Sequence, residues 1–307
     1  MTPSKKQIFD TLNTTTHRVN ENISPSLFPD TNPTETNNTE FWYYSDLYNL
    51  FGTPRFDISN ALEHTYQSFD FSPTGKREQF DFIHQHRQII QRKYSITSPH
   101  TPFDPITKPG TDIKLTRYAC WCIFNQHPSL IFTQTYFMNP EIDFQTLYKI
   151  SYEFARVYQR KRYKEVEKQL SGILNKIDAN IALFKSHLDK VFYLGRTHDE
   201  LRHAYNLPKQ NGVPLADHMG AISLHARRTA IERAIEKFQI CPIRTFRAFA
   251  YIAQEEIHNA RMKMISEYKI TPERDIYKKT VSTVASELKQ MQKNFIKKYA
   301  YQDIRGK

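Results

Sequence analysis

The sequence predicts an α+β fold that is mainly α, with a small α+β N-terminal module followed by a basic, mostly helical C-terminal domain. Three observations carry this expectation. Thr111–Met138, TDIKLTRYACWCIFNQHPSLIFTQTYFM, is the most apolar and aromatic stretch of a polar chain. From Tyr163 to Ile177 apolar residues recur at 3,4,3,4 spacing, which places them on one face of a helix. The net charge of +11 is also uneven: residues 1–40 carry 3 basic and 5 acidic side chains, residues 41–150 carry 10 of each, and residues 151–307 carry 30 and 17.

Residues 1–39 are rich in Thr, Asn, Ser and Pro and show no apolar period, so they read as a disordered tail with at most a helical turn near Lys5–Leu12. Order is expected from Glu40. The aromatic run EFWYY reads as a strand, Ser45 offers an N-cap for a short helix, and Gly52 closes that helix before Thr53-Pro54. A helix over Asp57–Phe69 carries Ile58, Ala61, Leu62, Thr65 and Phe69 on one face, and Gln79–Tyr94 forms another. Ser98–Gly110 holds four prolines and reads as a loop. Residues 112–125 are expected to be the central buried helix of this module, 40–140, and Ile131–Met138 a further helix.

The C-terminal domain, 141–280, opens on a long helix from Phe144 to Ile177. Its seam resumes at Ile181, Phe184, Leu188 and Val191 after a break at Asp178-Ala179-Asn180. Arg156, Arg160, Lys161, Arg162, Lys164 and Lys168 read as the opposite, solvated face. Thr197-x-x-Glu200 is a capping box, Lys209–Gly212 a turn, and Pro214–Gly220 the lead into a helix reaching Phe238 with Arg227, Arg228, Arg233 and Lys237 near one side. Helices over Thr245–Tyr268 and Val281–Tyr299 follow, the second a basic C-terminal segment, 281–307.

A chain of 307 residues suffices for two ordinary domains. No apolar run is long enough to cross a bilayer, and MTPSKKQIFD has lysines without an apolar core behind them, so neither a membrane span nor a signal peptide is expected. Cys120 and Cys122 fall on different faces of a helix, which disfavours a disulfide or a zinc knuckle and suits a cytoplasmic protein with buried thiols. Walker A, G-x-G-x-x-G, H-E-x-x-H and G-x-S-x-G patterns are absent. Glu200-x-x-His203 and Glu255-x-x-His258 have the spacing of half a di-iron carboxylate site, but nothing marks the two further glutamates such a site needs. Asp217-His218 reads as a capping acid beside a packed or exposed histidine. No metal, cofactor or catalytic group is therefore expected, and a non-enzymatic protein follows.

Several motifs share one resemblance. DIKLTRYACWC, with Arg117 and Tyr118, and then Gln134-Thr135-Tyr136-Phe137 resemble the "LSRYACYL … QTYFA" signature of the DNA-damage-inducible protein D family. Trp42, Leu47, Leu50 and Gly52 resemble the opening of that family's Bro-N module. Asp217-His218-Met219-Gly220 resembles its "ILDHMGS" motif, and the similarity runs in collinear order over about residues 40–275. The chain departs from the pattern at Ala221, which replaces the serine, and at LHARRTAIERAI, where Arg227-Arg228 are rearranged. The resemblance implies a Bro-N-like N-terminal module in a cytoplasmic bacterial protein of the SOS response, linked to DNA and to RecA-type recombinase filaments on single-stranded DNA.

The charge and the resemblance converge on a DNA-associated regulator. Its expected nucleic-acid contacts are Arg156, Arg160, Lys161, Arg162 and Lys164, assisted by Arg227, Arg228 and Arg233. The alternative is an antirepressor-like protein-interaction module without DNA affinity of its own, in which the seam Tyr163–Val191 serves as a homo-oligomer interface.

Overall fold

The structure is a computed structural model and describes residues 4–20, 38–51, 58, 60–62, 64–65, 114–139, 141–207 and 213–299. The expectations for Gly52, Thr53-Pro54, the helix Gln79–Tyr94, the loop Ser98–Gly110 and the turn Lys209–Gly212 lie outside these residues. The chain is mainly helical with one small antiparallel sheet, and it divides into two compact units, Met1–Ser151 with Gln290–Lys307, and Tyr152–Lys289.

The first unit begins where the sequence suggested a tail. Helix α1 spans Lys5–Thr14 and strand β1 spans His17–Asn20. The disordered-tail reading is corrected for these residues, and the overlooked signal was a capping box. Ser4 accepts a hydrogen bond from the Gln7 amide, and the Gln7 side chain accepts one from the Ser4 amide. The helix then buries Leu12 completely. β1 pairs antiparallel with β2 (Asn38–Tyr43), and β2 with β3 (Lys114–Thr116), in sheet order β1-β2-β3.

Helix α2, Tyr44–Phe51, starts one residue before Ser45. Ile58, Ala61, Leu62 and Thr65 are helical and buried, in keeping with the helix expected over 57–69.

The central helix is shorter than its apolar spacing suggested. Leu115 belongs to β3, opposite Trp42, and helix α3 runs only over Arg117–Asn125. Thr116 sets the boundary, its hydroxyl accepting the Ala119 amide as an N-cap. Helix α4 is Ile131–Met138, as expected. Trp42 sits beneath it, fully buried, with Nε1 donating to the Leu12 carbonyl at 3.2 Å and its ring edge-on to Phe137 at 5.0 Å. Phe124 meets Phe51 edge-on at 4.7 Å and stacks on Phe137 at 5.5 Å. The C-terminal end of the last helix, α10 (Val281–Tyr299), groups with this unit. Phe295 lies 5.4 Å from the Trp121 ring, so this end of the basic helix is anchored by an aromatic contact.

Helix α5 spans Phe144–Lys176, and the division between the units falls within it, between Ser151 and Tyr152, rather than at the 140/141 boundary expected from the sequence. Two residues beyond its end Asp178 has a left-handed φ of 50°, and Asn180 caps α6 (Ile181–Phe192). The expected break is there. Leu194 and Gly195 then turn the chain with φ of 52° and 84°, the latter a conformation that favours glycine. The Thr197 capping box opens α7, His198–Ala204. Helices α8 (Ala221–Ile240) and α9 (Phe246–Tyr268) form the most extensive pairing of the second unit. Its core joins Tyr163, Val166, Leu170 and Leu174 of α5 to Phe184, Leu188 and Phe192 of α6, Ile231 and Phe238 of α8, and Phe249 and Ile257 of α9. The seam Tyr163–Val191 is thus consumed within the unit, which corrects its reading as an oligomer interface.

Candidate nucleic-acid interface

Helical period decides which cations of α5 meet water. Extended backwards in steps of three and four, the seam Tyr163–Leu170–Leu174 runs through Arg160 and Arg156, so these two share the core-facing side. Both are buried, at 4% and 0% exposure. Their assignment to a DNA-binding face is corrected. A desolvated guanidinium must be matched by acceptors, and here it is. Arg156 donates from Nε to the Met219 carbonyl at 2.7 Å and from Nη2 to the carbonyls of Asp217 and Lys279 at 2.9 and 2.6 Å. Its Nη1 reaches Glu153 at 3.2 Å. Arg160 donates from Nε to Asp217 at 2.6 Å and from Nη1 to Glu167 at 2.9 Å.

The Asp217-His218-Met219-Gly220 segment is the other half of this lock. Leu215–Asp217 form a 3-10 turn ahead of α8. Asp217 accepts from Arg160 rather than capping the helix, whose N-cap is Gly220 without a side-chain bond. His218 is buried and its Nδ1 lies 3.0 Å from the Tyr277 carbonyl. A carbonyl only accepts, so Nδ1 carries the proton. Burial lowers the His218 pKa below the usual histidine value, against the bond to Tyr277, which raises it. The Gly220 amide donates to the Asp275 carbonyl at 2.7 Å, and the Asp275 carboxylate accepts from Tyr152 Oη at 2.6 Å and the Ser223 amide at 2.8 Å. These motif residues therefore join α5, the turn and the segment before α10.

Arg227 is corrected in the same way. It is buried on α8, ion-paired with Asp189 of α6, with its guanidinium over Tyr163 at 5.6 Å and Phe192 at 5.4 Å. Asp189 also holds His198. Arg228 is half-buried, bonded through Nη1 to both carboxylate oxygens of Glu232 at 2.7 and 2.8 Å and through Nη2 to His225 at 3.2 Å, so its charge is spent along its own helix.

The cations that remain at the surface are Lys161, Arg162, Lys164 and Lys168 of α5, with Arg233 of α8. Arg162 lies 3.6 Å from Glu165. Lys161, Lys164 and Lys168 stand at i, i+3 and i+7, a single exposed row, and among the described residues none of the three forms an ion pair. Arg233 lines a groove between α8 and α9 with Asn259 and Lys263. Tyr163, on the same stretch of α5, is core and offers no stacking face.

The motif residues of the first unit are structural. Arg117 is buried and ion-paired with Glu40, lies 4.8 Å from the Trp42 ring, and donates from Nη1 to the carbonyls of Tyr136 and Phe137 at 3.3 Å, closing the C-terminus of α4. Tyr136 Oη donates to Asn13 at 2.8 Å, and Gln134 bonds Asn125 at the end of α3. Tyr118 stacks on Trp121 at 5.8 Å. Burial raises the Cys120 thiol pKa and pushes that of Cys122 up to about 12, so both stay protonated near neutral pH. Of the two E-x-x-H pairs, Glu200 is occupied by the Thr197 amide at 2.7 Å, while Glu255 and His258 are exposed on α9. No group of three or more metal-ligating side chains occurs among the described residues. No described helix is long and apolar enough to cross a membrane.

Compared with protein-family models, curated proteins and solved structures, the chain finds no match.

Proposed function

We propose that the protein is a non-enzymatic, DNA-associated regulator that binds nucleic acid along the outer face of α5. The observation that carries this reading is the row Lys161, Lys164 and Lys168: three exposed cations on one helix face, without ion-pair partners among the described residues, in a half of the chain whose net charge is +13 (30 basic, 17 acidic). Such a row follows a phosphate backbone by charge alone, without reading bases. The resemblance to the DNA-damage-inducible protein D family supports the same direction and suggests single-stranded DNA or a recombinase filament on it as the physiological target.

The test is fluorescence anisotropy of labelled single- and double-stranded DNA with the full chain over a salt series. Affinity should fall linearly in log–log form with salt. The variant Lys161→Glu/Lys164→Glu/Lys168→Glu should lose roughly 0.7 slope units per contact on single strands and roughly 0.9 on duplex. Arg160 is left out of the variant because its guanidinium holds Asp217 and Glu167. An unchanged slope in a folded triple variant would remove α5 from the interface, and no binding at low salt would remove DNA altogether.

A further inference from the structure

The second unit carries an apolar end that its own core does not use. Ile240 and Ile243 are 84% and 61% exposed at the turn between α8 and α9, and Phe246, the first residue of α9, is 42% exposed. Leu183 of α6 is 69% exposed. It belongs to the same end, because its neighbour Phe184 meets Phe246 at 5.8 Å and stacks on Phe249 at 5.5 Å. The helices continue side by side, with His187 3.5 Å from Gln254. Ile240, Ile243 and Phe246 therefore follow one another through the α8–α9 turn, with Leu183 exposed on the adjoining first turn of α6. In a chain of mean hydropathy −0.65, exposed apolar side chains that follow one another through a single turn are a candidate contact surface.

Its rim is cationic. Arg244 and Arg247 are exposed beside the cluster, and among the described residues neither forms an ion pair. Arg244 donates to the Gln239 carbonyl at 3.3 Å, within the turn itself. Lys237, nearby on α8, is already paired with Glu256.

We propose that this end is a docking surface for an acidic, apolar segment of another protein. Two alternatives fit less well. A second copy of the chain would bring two Arg244–Arg247 pairs together, and like charges across an apolar contact oppose association. An anionic membrane surface calls for a cluster of about 4–8 cations, whereas this end offers two arginines and an exposed Glu236. A peptide with leucine or phenylalanine on one helical face and glutamates flanking it satisfies both the apolar centre and the guanidinium rim.

The experiment uses the full chain without DNA and a fluorescein-labelled amphipathic peptide with Leu and Phe on one face and Glu elsewhere. Controls are the same apolar pattern with Lys for Glu, and a scrambled acidic sequence. The acidic amphipathic peptide should bind and the two controls should not. Ile240→Ser/Ile243→Ser should weaken binding about tenfold or more, and so should Arg244→Glu/Arg247→Glu. Far-UV circular dichroism should be unchanged in both, since all four side chains are exposed. The lysine-row variant of α5 should bind the peptide as wild type does, which separates this proposal from the DNA reading. Equal binding of all three peptides, or insensitivity to the Ile240/Ile243 variant, would overturn it. So would dimerisation that the Ile240/Ile243 variant abolishes, or binding to phosphatidylserine vesicles in place of the peptide.

Discussion

Gly220→Ala tests whether the Asp217–Gly220 turn is a lock. Gly220 has φ of −76°, which any residue adopts, so its need for glycine is steric. A Cβ at this position would overlap the Asp275 carboxylate outright. That carboxylate is fully enclosed and accepts from Tyr152 Oη at 2.6 Å and from the Ser223 amide at 2.8 Å. It cannot yield while the backbone bond from Gly220 to Asp275 at 2.7 Å holds the two segments together. Displacing it breaks two hydrogen bonds to an acid, each worth about 1.5–3 kcal/mol when the acceptor is charged. Burial raises the Asp275 pKa, so part of that charge assistance is muted, and the expected cost is about 3–5 kcal/mol. For a unit of this size that lowers the melting temperature by roughly 10–20 °C. Urea unfolding followed by far-UV circular dichroism measures it, because Trp42 and Trp121 both lie in the first unit and tryptophan fluorescence reports there. The decisive comparison is a double-mutant cycle. Asp275→Ala removes the three atoms nearest to that Cβ, so adding Gly220→Ala to it should cost less than about 1 kcal/mol. A Gly220→Ala cost below about 1 kcal/mol in the otherwise wild-type chain, or simple additivity of the two changes, would refute the steric argument.

Further outcomes follow from other parts of the fold. Gly172 lies inside α5 with open space around its Cα, so Gly172→Ala should stabilise the protein by about 0.5–1 kcal/mol, read as a rise in melting temperature. Leu12→Ala should destabilise the first unit by about 2–5 kcal/mol in tryptophan-monitored urea unfolding, whereas a loss under about 0.5 kcal/mol would mean that α1 does not dock. Burial alone would raise the Asp189 pKa, but Arg227 and His198 hold the carboxyl below its usual range. Its folded-state pKa is thus depressed, and the stability it contributes is complete above about pH 4 and is lost as pH falls further. Asp189→Asn should lower stability at neutral pH and flatten that part of the acid limb; an unaltered pH profile would show that the ion pair does not govern it.

The sequence by itself determined the mainly helical class, the break after α5, the Thr197 capping box and helix α4. Each is written in local signals: apolar period, a capping pair, or a residue able to take positive φ. It also marked Arg117, Gln134, Tyr136, Asp217 and Gly220 as special positions without saying what they do. The Ser4–Gln7 capping box was equally legible and was outweighed by the polar composition around it. The period of the seam already put Arg156 and Arg160 on the core-facing side of α5, but only the tertiary structure decided what satisfies them and that Arg227 is buried as well. Only the positions of the carbonyls of Asp217, Met219 and Lys279 make Arg156 a buried strut, and only Asp189 on another helix makes Arg227 one. Those partners lie far away along the chain, so no local pattern announces them. The same long-range packing leaves Lys161, Lys164 and Lys168 outside, because the helical period that seats Tyr163 and Leu170 in the core turns those three lysines away from it.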